Sequence, residues 1–128
     1  MIWQSFVDET ILGTSQVAKA AIHGLNGTRF AASTGFVIPN CEIQDIVTAI
    51  TTDPSKLYSS GITLGQAKFS FLRIDPGRAI LFRNRQEGGI AVKTNRCLII
   101  GTYNEGMEFA DCCSVIETLA DHFIMVEY

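Results

Sequence analysis

The sequence predicts an α+β fold: a central antiparallel sheet of about six to seven strands, with N- and C-terminal helices packed on one face and a further short helix on the other. Three observations carry this. Apolar runs of strand length succeed one another from residue 62 to residue 103 with turn residues between them, and sequential strands joined by short turns pair antiparallel. An apolar stripe at helical spacing opens the chain and another closes it. Two amphipathic terminal helices each need a surface to cover, and side by side on one sheet face is the economical solution.

Each element has a local signal. Trp3, Phe6, Val7, Thr10 and Ile11 form one stripe of a short helix, which Gly13 is expected to end. Gln16 to His23 and Thr28 to Ser33 read as two strands around Leu25-Asn26-Gly27, and Asn-Gly is a strong hairpin signal. Gly35 and Pro39 punctuate the stretch after this hairpin. Cys41 to Thr51 reads as a second helix with Ile43, Ile46, Val47 and Ile50 on one side, Asn40 as its N-cap and Asp53-Pro54 as its end. A loop is expected to run to Gly61.

The meander comprises Ile62 to Leu64, Ala67 to Ile74, Ala79 to Arg83, Ile90 to Lys93 and Arg96 to Tyr103. Asp75-Pro76-Gly77, Asn84 to Gly89 and Thr94-Asn95 supply its turns. Glu108 to Met125 is the last helix, with Phe109, Cys113, Ile116, Leu119, Ala120 and Phe123 inward and Asp111, Ser114, Glu117, Thr118 and Asp121 outward.

The chain of 128 residues reads as one domain, residues 1–128, long enough to bury a core without disulfides or metal. Its 47% hydrophobic and 18% charged residues are too apolar for disorder, and a net charge of −3 gives no global reason to expect nucleic acid. No run reaches the roughly 18 apolar residues of a membrane span, and no basic-then-apolar leader opens the chain. Cys41, Cys97, Cys112 and Cys113 form neither a CxxC nor a metal-ligand spacing and read as free thiols of a reducing cytosol.

No nucleophile elbow, phosphate loop or zinc motif is present, so no enzymatic constellation is expected. His23 and His122 have no catalytic partner at readable spacing, and His23 reads as structural or solvent-exposed. Asp8-Glu9 reads as a solvated helix face. The basic residues are more informative. Lys68, Arg73, Arg78, Arg83, Arg85, Lys93 and Arg96, seven of the ten Lys and Arg, lie between residues 68 and 96. They read either as the outward positions of a half-solvated sheet or as a basic face for an acidic protein or an anionic headgroup.

The only tryptophan stands at position 3 and the final residue is Tyr128. Chain ends seldom hold large aromatics without a reason. Periodicity brings the two ends together, either as a core seam or as an exposed aromatic platform.

The chain resembles the profilins, small proteins that bind monomeric actin. The resemblance rests on Trp3-Gln4-Ser5-Phe6-Val7-Asp8, on Ala20-Ala21-Ile22 and on Phe30-Ala31-Ala32-Ser33-Thr34-Gly35-Phe36. It continues through Phe69-Ser70-Phe71-Leu72-Arg73, Gly89-Ile90-Ala91-Val92-Lys93-Thr94, Leu98 to Glu105 and Leu119-Ala120-Asp121-His122-Phe123. Their order and spacing cover essentially the whole chain.

The resemblance implies a cytoplasmic, cytoskeletal, non-enzymatic monomer without cofactor, metal or nucleic-acid partner. It would regulate actin polymerisation, promote nucleotide exchange on actin, and deliver monomers to proline-rich proteins such as formin-type nucleators. It also implies phosphoinositide binding. The family's polyproline positions fall on Trp3, Phe6, Phe30, His122 and Tyr128. Its actin-contacting strands fall on Lys68, Arg73, Arg83, Lys93, Arg96 and Asn104. Phe6 and Phe30 stand where the family usually has Tyr and Trp, so two hydrogen-bond donors are lost and weak polyproline binding is expected. The alternative reading is a small-ligand sensor of α/β sandwich shape, which requires a polar pocket between sheet and helix.

Overall fold

A computed structural model describes residues 2–128. Seven strands form one antiparallel sheet in the order β2-β1-β7-β6-β5-β4-β3. They are β1 (Lys19–Gly24), β2 (Arg29–Ala32), β3 (Ile62–Leu64), β4 (Ala67–Asp75), β5 (Ala79–Asn84), β6 (Glu87–Lys93) and β7 (Cys97–Tyr103). The N-terminal helical segment and α4 (Phe109–Met125) cover one face, and α2 (Asn40–Thr51) and α3 (Ser55–Ser60) lie on the other.

Two cores result from the period of two in the strands. On the terminal-helix side, Val7, Ile11, Cys112, Ile116, Ala120 and Phe123 pack against Ala20, Ile22, Ile90, Val92 and Ile99. On the other side, Ile43, Ile46, Ile50 and Leu57 pack against Ala21, Ile80, Phe82, Leu98 and Ile100. Both faces of the central strands are buried, so β7 reads as a continuous apolar run rather than an alternating one.

The N-terminal segment changes geometry along its length. It runs as α1 (Trp3–Ser5), a π-helical stretch Phe6–Ile11 and a 3-10 turn Leu12–Thr14. The Leu12 N–H reaches back to the Val7 carbonyl, and Val7 and Ile11 are fully buried. Gly13 does not end this segment. It lies inside the 3-10 turn, and Ser15, at φ 62°, makes the left-handed reversal.

Other local expectations also change. Asn40 is the first residue of α2 rather than its cap; Pro39 occupies the N-cap, and no side chain caps the helix. The stretch expected as a loop to Gly61 contains α3, whose entry is held by Asp53 Oδ1 accepting from the Ser55 N–H at 2.9 Å. The turn expected over Asn84 to Gly89 is only Arg85-Gln86, with Arg85 at φ 57°, and Glu87, Gly88 and Gly89 belong to β6.

Those two glycines serve close packing. A Cβ on Gly89 would stand 2.1 Å from the Gly101 carbonyl oxygen, and one on Gly88 would stand 2.5 Å from that of Phe82. Gly101 plays the same part toward α4: a Cβ there would stand 2.5 Å from the Ile116 side chain, so its absence lets the helix settle onto β7. That seating places the C-terminal end of α4 beside the start of the chain.

Candidate functional site: an aromatic seam and a basic strip

The two chain ends meet around Trp3. Its indole stacks on Phe30 with centroids 4.8 Å apart and planes at 29°. The Tyr128 ring stands 5.0 Å away, Phe123 5.7 Å and Phe6 6.4 Å. Phe123 is completely buried and forms the floor, touching Phe6 edge-on at 5.1 Å. Trp3, Phe6, Phe30 and Tyr128 remain half-buried, so their outer surfaces stay accessible. Offset and edge-to-face geometries of this kind are the favourable ones for aromatic rings.

Hydrogen bonds hold the two ends of the cluster in place. Gln4 Nε2 donates to the Ala32 carbonyl at 3.0 Å, tying the N-terminal helix to β2, the strand that carries Phe30. At the other end α4 closes in a Schellman motif. The Tyr128 N–H donates to the Phe123 carbonyl at 2.7 Å and the Glu127 N–H to that of Ile124 at 3.0 Å, with Glu127 left-handed at φ 64°. This reversal folds Tyr128 back over Phe123, their rings 6.3 Å apart. The Tyr128 main-chain oxygen then accepts from the Arg96 N–H at 2.6 Å and from Thr94 Oγ1 at 3.2 Å.

His122 lies one residue from the floor, its ring 6.3 Å from Phe123, exposed on the rim that it shares with Phe6. The five residues expected from the resemblance are thus brought to one region. Periodicity marks Phe123 only as a core residue, and its part as the floor that spaces the other rings has no signature in the sequence.

The six cationic and amide positions do not stay together. Lys68 and Arg73 on β4 and Arg83 on β5 share the terminal-helix face of the sheet, beyond the helices. Lys68 and Arg73 are an odd number of residues apart, which would put them on opposite faces of a regular strand. A bulge between Phe71 and Arg73 absorbs one residue and brings both to the same side.

Arg83 Nε donates to the Arg85 carbonyl at 3.0 Å, and Arg73 faces Asp75 at 3.7 Å in an exposed pair. A cleft of about 480 Å³ beside Arg83, walled by Leu72, Tyr103, Met107 and Phe109, joins this strip to the start of α4. Burial raises the Tyr103 phenol above its usual range.

Lys93 points to the other face, where its partner in the ladder, Leu98, belongs to the α2 core; its ammonium donates to the Thr94 carbonyl at 3.3 Å. Asn104 lines a cleft with Lys19, Phe36, Leu64 and Thr102, also on the α2 side. Arg96 belongs to the seam, its guanidinium 5.6 Å from the centre of the Tyr128 ring.

His23 and three of the four cysteines are buried structural groups, and Cys41 is an exposed free thiol. His23 is fully buried, its Nδ1–H donating to the Gly27 carbonyl at 3.1 Å, and burial lowers its pKa, so it clasps the β1–β2 hairpin as a neutral ring. Burial raises the Cys112 thiol to about 12 and those of Cys97 and Cys113 to about 11, far from thiolate reactivity. Among the described residues, no group of His, Cys, Asp or Glu is placed to hold a metal, and no helix is long and apolar enough to cross a membrane.

A seven-stranded antiparallel sheet with an aromatic seam between its terminal helices and a basic strip beside them defines a small interaction domain. The chain belongs to the profilin family, whose members bind actin and regulate its assembly: the Profilin family model matches residues 1–128. It is 36% identical to profilin-1A of Acanthamoeba castellanii over 125 residues, 97% of each chain. The crystal structure of A. castellanii profilin II superposes with a TM-score of 0.94 at 31% identity, covering 98% of this chain and 99% of that one. Mouse profilin IIa, solved in complex with a double repeat from the FH1 domain of mDia1, shares the fold at a TM-score of 0.80 and 23% identity, over 98% and 99% of the two chains.

Proposed function

We propose that this profilin binds monomeric actin through Lys68, Arg73, Arg83 and the adjoining cleft, and captures proline-rich proteins such as formin-type nucleators in the seam of Trp3, Phe6, Phe30, His122 and Tyr128. In this reading it promotes nucleotide exchange on actin and hands monomers to those partners. The observation that carries the reading is Trp3, held between Phe30 and Tyr128 at 4.8 and 5.0 Å with its outer surface open. A polyproline II helix is preformed, loses little entropy on docking, and presents apolar ring ridges and unpaired carbonyls. Flat rings pack those ridges, and Trp3 N–H, Tyr128 O–H and His122 N–H are the donors for the carbonyls. The mouse relative carries an FH1 repeat in its complex, which supports the same ligand class here.

Phe6 and Phe30 offer no donor. Two neutral hydrogen bonds at about 0.5–1.5 kcal/mol each set the affinity roughly one to two orders of magnitude below a seam with Tyr and Trp there. The strip supplies orientation and rate toward an acidic partner more than affinity. The same cations give modest phosphoinositide binding, since they form no dense run.

Titrating a proline-rich peptide against Trp3 fluorescence tests the seam, and no spectral change at millimolar peptide rejects it. Pyrene-actin assembly with and without a proline-rich nucleator tests delivery. The expected outcome is slowed spontaneous assembly and supported elongation from the nucleator; indifference in both arms rejects the actin role.

A further inference from the structure

The seam does not end at the aromatic cluster. From Phe6 and His122 an apolar groove of about 420 Å³ continues between the two terminal helices toward Thr14 and Ser114. Val115 and Leu119 form its floor, and the exposed Thr10, Ser114 and Thr118 bring hydroxyls to its walls. Thr14 closes the far end, its own hydroxyl committed to the Ile11 carbonyl at 2.7 Å. Among the described residues, no Lys, Arg, Asp or Glu lines the groove.

We infer that this groove is a second subsite for the same proline-rich ligands, and that it selects those whose proline run is flanked on one side by uncharged, small or branched apolar residues. The inference rests on the seam reading. Its dimensions suit the task. Ser114 to His122 is eight steps of α4, about 12 Å at 1.5 Å per residue. An extended peptide at 3.1 Å per residue covers that length with about four residues. A peptide leaving the ring cluster along the helix seam therefore meets an apolar floor for alternate side chains and hydroxyls for its free carbonyls and N–H groups. A charged side chain there would lose water without gaining a partner. The rim hydroxyls also offset, for longer ligands, the donors that Phe6 and Phe30 lack.

The test uses the full chain and Trp3 fluorescence, with five peptides: six prolines alone, and six prolines extended at either end by Ala-Val-Ala-Val or by Ala-Glu-Ala-Glu. The variants are Thr118→Arg and Ser114→Arg, two exposed helix positions where arginine is a good helix former and two chances of a folded protein. The expected result is that Ala-Val-Ala-Val at one end tightens binding by about fivefold or more. Ala-Glu-Ala-Glu at that end does not, and both variants lose the gain. No gain at either end, an equal gain with the acidic extension, or a gain that survives both variants overturns the second subsite while leaving the seam intact. Failure of every peptide to bind the unaltered protein overturns the seam itself, and the subsite with it.

Discussion

The seam and the strip lie on the same face of one sheet and are built in opposite ways. The seam is interlocked: five rings with neighbouring centroids 4.8 to 6.4 Å apart, one end tied through Gln4 to β2 and the other folded back by a Schellman motif. The strip is open. Arg73 keeps 65% of its side chain in solvent, and its contact with Asp75 is the kind of exposed pair that contributes little. A ligand on the seam meets rings already ordered. A ligand on the strip must order each long side chain, at about 0.5–1.5 kcal/mol apiece. Affinity at the seam should therefore track ring packing and donors, and association at the strip should track charge and salt.

Trp3→Ala breaks the comparison most severely, because it removes the ring that the others surround. Stability should fall by about 2–3 kcal/mol, less than for a fully buried ring because Trp3 is half-exposed, and proline-peptide binding should vanish. Chemical denaturation and calorimetric titration read the two effects. A variant that keeps its stability and loses only binding would mean the rings are a platform and not an interlocked unit. Arg73→Glu with Arg83→Glu comes next. Actin association should fall by about tenfold or more at low salt, with the difference narrowing as salt screens it, while the unfolding midpoint stays in place. Equal losses at low and high salt would mean that shape at the cleft, rather than charge, holds actin.

How much of this is legible in the sequence differs between the two regions. The strands and terminal helices are readable because their signals are local, a period of two or a stripe at three and four. The meeting of the chain ends is readable for the same reason, with Trp3 and Phe6 on one stripe and Tyr128 just beyond the other helix, whereas Phe30 and His122 join them only through the resemblance. The strip is not readable in this way. The bulge at Leu72, which no residue type announces, brings Lys68 and Arg73 to one face, and the resemblance groups Lys93, Arg96 and Asn104 with them although the fold sends those three elsewhere. Gly88 and Gly89 resemble a turn because their purpose is tertiary, the approach of Phe82 and Gly101. Helix α3, six residues after a proline, is too short to show a period.

Restoring donors sharpens the comparison from the seam's side. Phe6→Tyr adds one hydroxyl at the rim shared with His122. It should tighten a proline peptide by about 0.5–1.5 kcal/mol, between twofold and tenfold, and leave actin association unchanged. An unchanged peptide affinity would show that the ligand carbonyls do not pass over this ring.

The smallest expected effect probes what holds the seam's far end. Glu127 sits at φ 64°, a conformation that costs a side-chain-bearing residue about 1 kcal/mol and glycine almost nothing. Glycine also loses more freedom on folding, which offsets part of the gain. Glu127→Gly should therefore stabilise the protein by about 0.5 kcal/mol, a rise of a few degrees or less in Tm. The Glu127 and Tyr128 N–H groups, which close the motif, are untouched by the change, so Tyr128 should stay over Phe123 and peptide affinity should hold. Glu127→Pro is the opposing variant: it removes the Glu127 N–H that bonds Ile124 and forbids positive φ. If the Schellman reversal is what places Tyr128, that variant releases the ring and weakens the peptide as well as the fold. If Arg96 and Thr94 hold Tyr128 by themselves, peptide affinity survives, and the anchor of the seam lies in the β6–β7 turn instead.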